Sequence, residues 1–155
     1  MSRSVQRIRR RFAVRTSPIH GRGVFALRYI PKHTRIIEYK GELISHEEAD
    51  ESNGEEHENP NHTMLWAVSD EIVIDATKRG NSARWINHSC APNCEPEDEG
   101  NRIFIETRCD IRPGEELTYD YNLQLSEPHT PAAKREYLCY CGARRCRGTM
   151  LGSKC

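Results

Sequence analysis

Three stretches of this chain hold residues whose types and spacing can do chemistry. The first is Arg84-Trp85-Ile86-Asn87-His88-Ser89-Cys90-Ala91-Pro92-Asn93-Cys94, a polar, thiol-bearing run between two charged regions. It carries an Asn-His pair, a candidate metal thiolate and a proline-locked turn, and polar groups packed so densely suit binding. The second is Cys139-Tyr140-Cys141-Gly142-Ala143-Arg144-Arg145-Cys146, which places three thiols within eight residues. Structural zinc takes four ligands in tetrahedral geometry, so the triplet calls for one more. Cys90, Cys94, Cys109, Cys155 and the histidines are the candidates. A site closed across the chain would pin the C-terminal tail to the core and contribute to folding. The third stretch, Glu116-Leu117-Thr118-Tyr119-Asp120-Tyr121, makes sense if it folds back onto the first, as does Gly21-Arg22-Gly23.

A chain of 155 residues is one domain by length, with 36% hydrophobic and 30% charged residues, which suits small sheets, polar loops or a charged groove. Net charge is zero, but the charges are segregated. Arg3, Arg7, Arg9, Arg10 and Arg11 form a basic arm, read as a plain tail or as a weak nucleic-acid contact. Acidic residues gather between Glu42 and Glu58 and again between Glu95 and Glu99. An acidic groove favours a basic partner, although solvated loops have the same composition. No apolar run nears the ~20 residues of a membrane span, and no apolar stretch follows the basic arm as in a secretory signal. Seven cysteines without such a signal argue for reduced thiols and a metal rather than disulfides.

Phe12 to Arg15, Val24 to Leu27 and Arg102 to Thr107 are predicted as strands, with Glu116 to Tyr121 as the last. Arg35 to Ile44 reads as two strands kinked at Gly41, and Ser45 with Glu48 as the capping box of a brief helix. Met64 to Val68 and Ile72 to Asp75 read as a hairpin, and Arg112-Pro113-Gly114-Glu115 as a type II turn. Ser126 to Pro131 reads as a polar linker. The pattern is mainly β.

In order along the chain, His20-Gly21-Arg22-Gly23-Val24-Phe25-Ala26, Glu38-Tyr39-Lys40-Gly41-Glu42-Leu43-Ile44, Asp75-Ala76-Thr77 through Asn87-His88-Ser89-Cys90, and Gly114-Glu115-Glu116-Leu117-Thr118-Tyr119-Asp120-Tyr121 precede the cysteine triplet. Together these resemble the SET-domain protein lysine methyltransferases with a cysteine-rich post-SET tail, from about Phe12 to Leu151. The resemblance implies small curved sheets with a knot-like C-terminal threading, which chain connectivity rarely shows. It implies a basic arm over residues 1–11, a SET domain over 12–125 and a zinc-bound tail over 126–155.

The implied reaction moves a methyl group from S-adenosylmethionine to a protein lysine. The resemblance places Tyr121 at the reacting centre, Tyr39 in the lysine channel and Tyr119 where a hydroxyl favours mono- or dimethylation. His20, Arg22, Gly23, Asn87 and His88 match the family's cofactor positions, and Tyr140 is placed to pack on the adenine. Cys90 joins Cys139, Cys141 and Cys146 as zinc ligands, with Cys94 a near competitor. Trp85 stands where Phe or Tyr is usual, and Met64 where several relatives carry a cofactor-touching Tyr. The implied substrate is a histone-like basic tail. A non-histone basic protein is the alternative, as is a non-catalytic zinc-stabilised binding module. The expected protein is a monomer inside the cell, cytoplasmic or at chromatin, or in a host cell if its source is bacterial.

Overall fold

The computed structural model describes residues 10–53, 64–124 and 128–152. The arginines before Arg10, the acidic residues Glu55, Glu56 and Glu58, and Cys155 lie outside those residues.

Among the described residues, three small sheets carry the fold. One joins β1 (Phe12–Thr16), β2 (Arg22–Ala26), β10 (Glu116–Tyr119) and β7 (Asn87–His88) in that order. A second places β9 (Arg102–Thr107) between β3 (Arg35–Tyr39) and β8 (Cys94–Glu99). The third sets β6 (Ile72–Asp75) between β4 (Glu42–Ser45) and β5 (Leu65–Ala67). The central strands β6, β9 and β10 carry consecutive buried residues and so are covered on both faces. Val24, Ile74, Ile105 and Leu117 from the different sheets are each at most 2% exposed and meet in one core with Ile30, Ile86 and Ile111. Full burial of such a side chain contributes about 1.5–3 kcal/mol.

Local signals set the connections. Ser45 Oγ accepts the Glu48 N–H at 3.1 Å and Glu48 Oε2 accepts the Ser45 N–H at 3.0 Å, the reciprocal box that starts α1 (His46–Asn53). Gly114, at φ 88°, holds the left-handed position of the type II turn, closed by the Glu115 N–H on the Arg112 carbonyl at 3.1 Å.

Three expectations change. The acidic run from Glu95 to Glu99 belongs to strand β8, paired from Cys94↔Thr107 to Glu99↔Arg102. An edge position lets its carboxylates reach water or arginine, with Arg35 Nη2 at 2.6 Å from Glu99; the same nitrogen lies 3.0 Å from Glu106 of β9. The predicted linker ends in a helix start. Thr130 caps α2 (Pro131–Glu136) through the Ala133 N–H, with Pro131 in the first turn, where its missing N–H costs nothing. Finally, β10 ends at Tyr119, which leaves Tyr121 just past the strand.

Gly41 sits where the chain passes from β3 to β4. A Cβ there would lie 2.4 Å from the Asp75 carbonyl oxygen and 2.7 Å from Ile74 Cγ2. Gly41→Ala must push β4 off β6, and the expected cost is about 1–3 kcal/mol. Urea denaturation should show a lower midpoint with an unchanged slope; an unmoved midpoint would mean the strand pair yields freely.

Candidate functional site

The ends of two strands and the middle of a third bring aromatic rings together. Tyr39 closes β3, Tyr119 closes β10, and Tyr121 follows two residues later. Trp66, in the middle of β5, lies between Tyr39 and Tyr119 with centroids 5.1 and 5.4 Å away, and the Tyr119 and Tyr121 rings are 4.9 Å apart. Tyr39 and Tyr119 are 3% and 4% exposed. Burial pushes all three phenol groups well above their usual range, so each keeps its proton at neutral pH. The Tyr121 hydroxyl donates to the Ile86 carbonyl, which aims its proton away and leaves oxygen lone pairs for another partner. A cleft of about 440 Å³ opens beside these rings, walled in part by Trp66, Pro96, Tyr119 and Tyr121. Trp66 was not singled out as a site residue from sequence. Its one signal was an aromatic in a hairpin strand, equally suited to a sheet surface.

Behind Tyr121 lies a second, narrower hollow with room of only about 10 Å³. Ile19, His20, Asn87 and His88 form one side, and Leu138, Cys139, Tyr140 and Met150 form the tail side. Four of the six predicted cofactor residues therefore share one wall system. Arg22 and Gly23 stand outside the lining. Arg22 instead places its guanidinium 5.3 Å from the Trp85 ring centre, and Met64 packs on the core. The His88 ring meets Tyr121 edge-on at 5.4 Å, so the two cavities adjoin across this pair. Burial lowers the His88 pKa to about 4, which makes the ring neutral at pH 7. The Tyr121 N–H donates to His88 Nδ1 at 3.0 Å. The ring proton therefore sits on Nε2, 3.4 Å from Cys90 Sγ.

The sulfurs of Cys90, Cys139, Cys141 and Cys146 all lie within 4.8 Å of one another. Cys90 Sγ is 3.7 Å from Cys139 Sγ and 3.9 Å from Cys146 Sγ. Four sulfurs about 2.3 Å from one tetrahedral ion would be roughly 3.8 Å apart, so the spacing fits zinc. Each sulfur also faces a backbone N–H: Arg147 on Cys90, Cys141 on Cys139 and Ala143 on Cys141, each at 3.4 Å, and Gly148 on Cys146 at 3.3 Å. Such donors stabilise thiolates. Cys94 is fully buried in the core, where burial pushes its thiol up to about 12. It is no part of this group. Cys109 is exposed on the surface.

A family model described as the SET domain matches residues 21–122, about two thirds of the chain. The chain belongs to the SET-domain family. Among similar proteins is a Schizosaccharomyces pombe "Histone-lysine N-methyltransferase, H3 lysine-4 specific", 43% identical over 85% of this chain and 14% of its own length. A Mycosarcoma maydis protein of the same description is 40% identical over 84% of this chain and 9% of its own. The human "Histone-lysine N-methyltransferase 2D" is 39% identical over 86% of this chain and 2% of its own. The chain thus spans a small part of the length of these curated relatives.

In this SET domain the tail is tied to the aromatic site by charge as well as by sulfur. The Arg147 guanidinium grips Asp120, between Tyr119 and Tyr121, with bonds of 2.7 and 3.0 Å. Although burial opposes it, that pairing holds the Asp120 carboxyl below its usual range. The sulfur geometry has a direct check in elemental analysis. If these four sulfurs are zinc ligands, the wild-type protein should carry one zinc per chain and Cys146→Ser should lose it, whereas Cys94→Ser should keep it and lose about 1–3 kcal/mol of stability from a buried hydroxyl. Zinc retained by the first variant, or lost by the second, would reassign the ligands.

Proposed function

We propose that this SET domain moves a methyl group from S-adenosylmethionine to the side-chain amine of a lysine in a basic, histone-type protein, ending at mono- or dimethyl-lysine. The observation that carries the reading is the shared wall. Tyr121 lines the cleft, His88 lines the hollow behind it, and their rings touch. A donor held in the hollow and an amine entering by the cleft would meet there, as in-line displacement requires.

The donor supplies a methyl group activated on a cationic sulfur. His20, Asn87, His88 and Tyr140 would hold it, with main-chain groups near Arg22 and Gly23. Leu138 and Tyr140, the exposed walls at 42% and 54%, would have to move outward to admit it. The attacking amine must be neutral. At pH 7 that costs on the order of 4–5 kcal/mol for an ordinary lysine with a pKa near 10.4. Tyr39, Trp66, Tyr119 and Tyr121 desolvate the amine, which lowers its pKa. With its proton on Ile86, Tyr121 offers the amine an acceptor and so orients its lone pair. The Tyr119 hydroxyl crowds a heavily methylated nitrogen. Cys90, Cys139, Cys141 and Cys146 would hold a structural zinc that closes the tail.

The acidic strand β8 runs into the cleft at Pro96 with Glu97, Asp98 and Glu99 exposed, a field that favours a basic peptide. The relatives named for histone H3 lysine 4 make that residue the first to test. We assign residues 12–125 to the SET domain, 126–155 to the zinc tail and 1–11 to an arm able to touch nucleic acid weakly. We place the protein as a monomer inside the cell, cytoplasmic or at chromatin; no described helix is long and apolar enough to cross a membrane.

Labelled S-adenosylmethionine should mark histone H3, and Tyr121→Phe should cut the rate roughly 100-fold or more while donor binding persists. Label on another basic protein alone would keep the chemistry and move the substrate. No transfer and no donor binding would overturn the enzyme reading in favour of a binding module. By mass spectrometry, Tyr119→Phe should shift the product toward trimethyl-lysine; an unaltered spectrum would remove Tyr119 as the gate.

A further inference from the structure

Glu116 has no part in the chemistry above, yet two distant segments donate to its carboxylate. Ser17 Oγ donates to it, 2.7 Å from Oε1 and 2.9 Å from Oε2. The Asn87 side-chain nitrogen donates to Oε1 at 2.8 Å. The same nitrogen reaches the carbonyls of Arg22 at 2.9 Å and His20 at 3.2 Å. Ser17 Oγ also accepts the Ile19 N–H at 3.0 Å, which fixes the start of the loop that leads to His20.

Strand register explains the meeting. Glu116 pairs with Phe25 across β10 and β2, so its side chain lies on the face that Gly23 shares. A Cβ on Gly23 would stand 2.0 Å from Glu116 Oε1 and 2.9 Å from its carboxyl carbon. A side chain here would displace the carboxylate from the position in which Ser17 and Asn87 hold it. This is a reason for Gly23 beyond close approach to a ligand.

The cluster also decides which way Asn87 faces. Its nitrogen is surrounded by a carboxylate and two carbonyls, all acceptors, so the amide cannot be reversed. The amide oxygen is turned away from the cluster. Asn87 is 1% exposed and forms the hollow's wall with Ile19 and His20. The carboxylate therefore holds both the loop and the amide that shape this wall.

We propose that Glu116 is a positioning residue for the methyl donor: its carboxylate, admitted by Gly23, locks the Ile19–Gly23 loop and the Asn87 amide into the arrangement that binds it. The proposal rests on the reading of the hollow as the donor site. A carboxylate offers acceptors to Ser17 and Asn87 at once. Ser17 and Asn87 both meet Oε1, so an amide in its place keeps one oxygen under both donors but removes the negative charge that strengthens these bonds.

Glu116→Gln should weaken S-adenosylhomocysteine binding roughly tenfold or more by calorimetry, the loss expected for charge-assisted hydrogen bonds. KM for S-adenosylmethionine should rise in step while kcat stays within about threefold, the signature of lost ground-state binding. Far-UV circular dichroism and zinc content should not change. Gly23→Ala should produce the same loss in the otherwise wild-type protein but little further loss in a Glu116→Ala background, because the clash disappears with the carboxylate. If Glu116→Gln does not fold, Ser17→Ala removes one donor and should raise KM alone, by a smaller factor. Unchanged affinity in Glu116→Gln, or a fall in stability without a fall in affinity, would overturn the proposal while leaving the donor site in place. A wild-type protein that binds no S-adenosylhomocysteine would overturn the donor reading and this proposal with it.

Discussion

Two residue pairs hold this site together. Strand β10 lies parallel to β7 through Thr118↔Asn87 and Tyr119↔His88, and on its other edge it meets β2 through Glu116↔Phe25 and Leu117↔Val24. Each edge is thus paired for only half of its length. The gap is filled by one side chain. Asn93 Oδ1 accepts the Thr118 N–H at 2.9 Å, and its nitrogen donates to the Glu116 carbonyl at 2.8 Å, which imitates a strand neighbour. An unpaired backbone group at this depth would be costly. With the amide in place, the chain turns after β7, passes along β10 and departs as β8. The pairing is what sets Asn87 and His88 beside Tyr119 and Tyr121, so that the hollow's wall adjoins the cleft's.

The tail is built onto that pairing. His88 Nδ1 accepts the Tyr121 N–H while its Nε2 faces Cys90 Sγ, so one neutral ring joins the segment past β10 to the sulfur cluster. Arg147 makes the parallel connection, with its backbone N–H on Cys90 and its guanidinium on Asp120. Leu123 and Leu151 form a bridge further along. A metal drawing the four sulfurs together would therefore act on the aromatic cleft and on the tail side of the hollow at once. Such a site contributes folding free energy wherever its ligands lie, but here two of the connections end beside Tyr121.

Local chemistry was legible in the sequence, and long-range geometry was legible only where a motif carried it. Ser45 and Glu48 are three residues apart and form their capping box as read. Pro113 and Gly114 make their turn for reasons contained in four residues. Cys90 and Cys94 were different. Both are thiols in one polar run, and spacing alone could not separate them. Position does: Cys94 begins a strand facing Thr107 in the core, while Cys90 stays outside, near the tail. Strand β8 was missed because acidic composition argues for solvent, whereas an edge strand needs only one apolar face. The role of Glu116 is not legible locally, because its partner Ser17 lies 99 positions away and nothing in Gly-Glu-Glu-Leu announces which glutamate turns inward.

The aromatic cleft carries a final constraint on mechanism. None of Tyr39, Tyr119 and Tyr121 can serve as a base near neutral pH, since burial moves each phenol away from deprotonation. His88 is neutral, but both of its nitrogens already face protein partners. Asp120, the nearest carboxylate in sequence, is gripped by Arg147 and held ionised by it. Of these groups, none is placed to take the lysine proton at neutral pH. The amine must arrive neutral, or lose its proton to water as it enters. The walls can favour that loss only through desolvation and through a fixed acceptor at Tyr121, whose own proton is committed to Ile86. Catalysis of this kind depends on the placement of groups rather than on their acidity. It is then consistent that so much of the polar structure, from Asn93 to Arg147, serves to hold a short segment of chain in place.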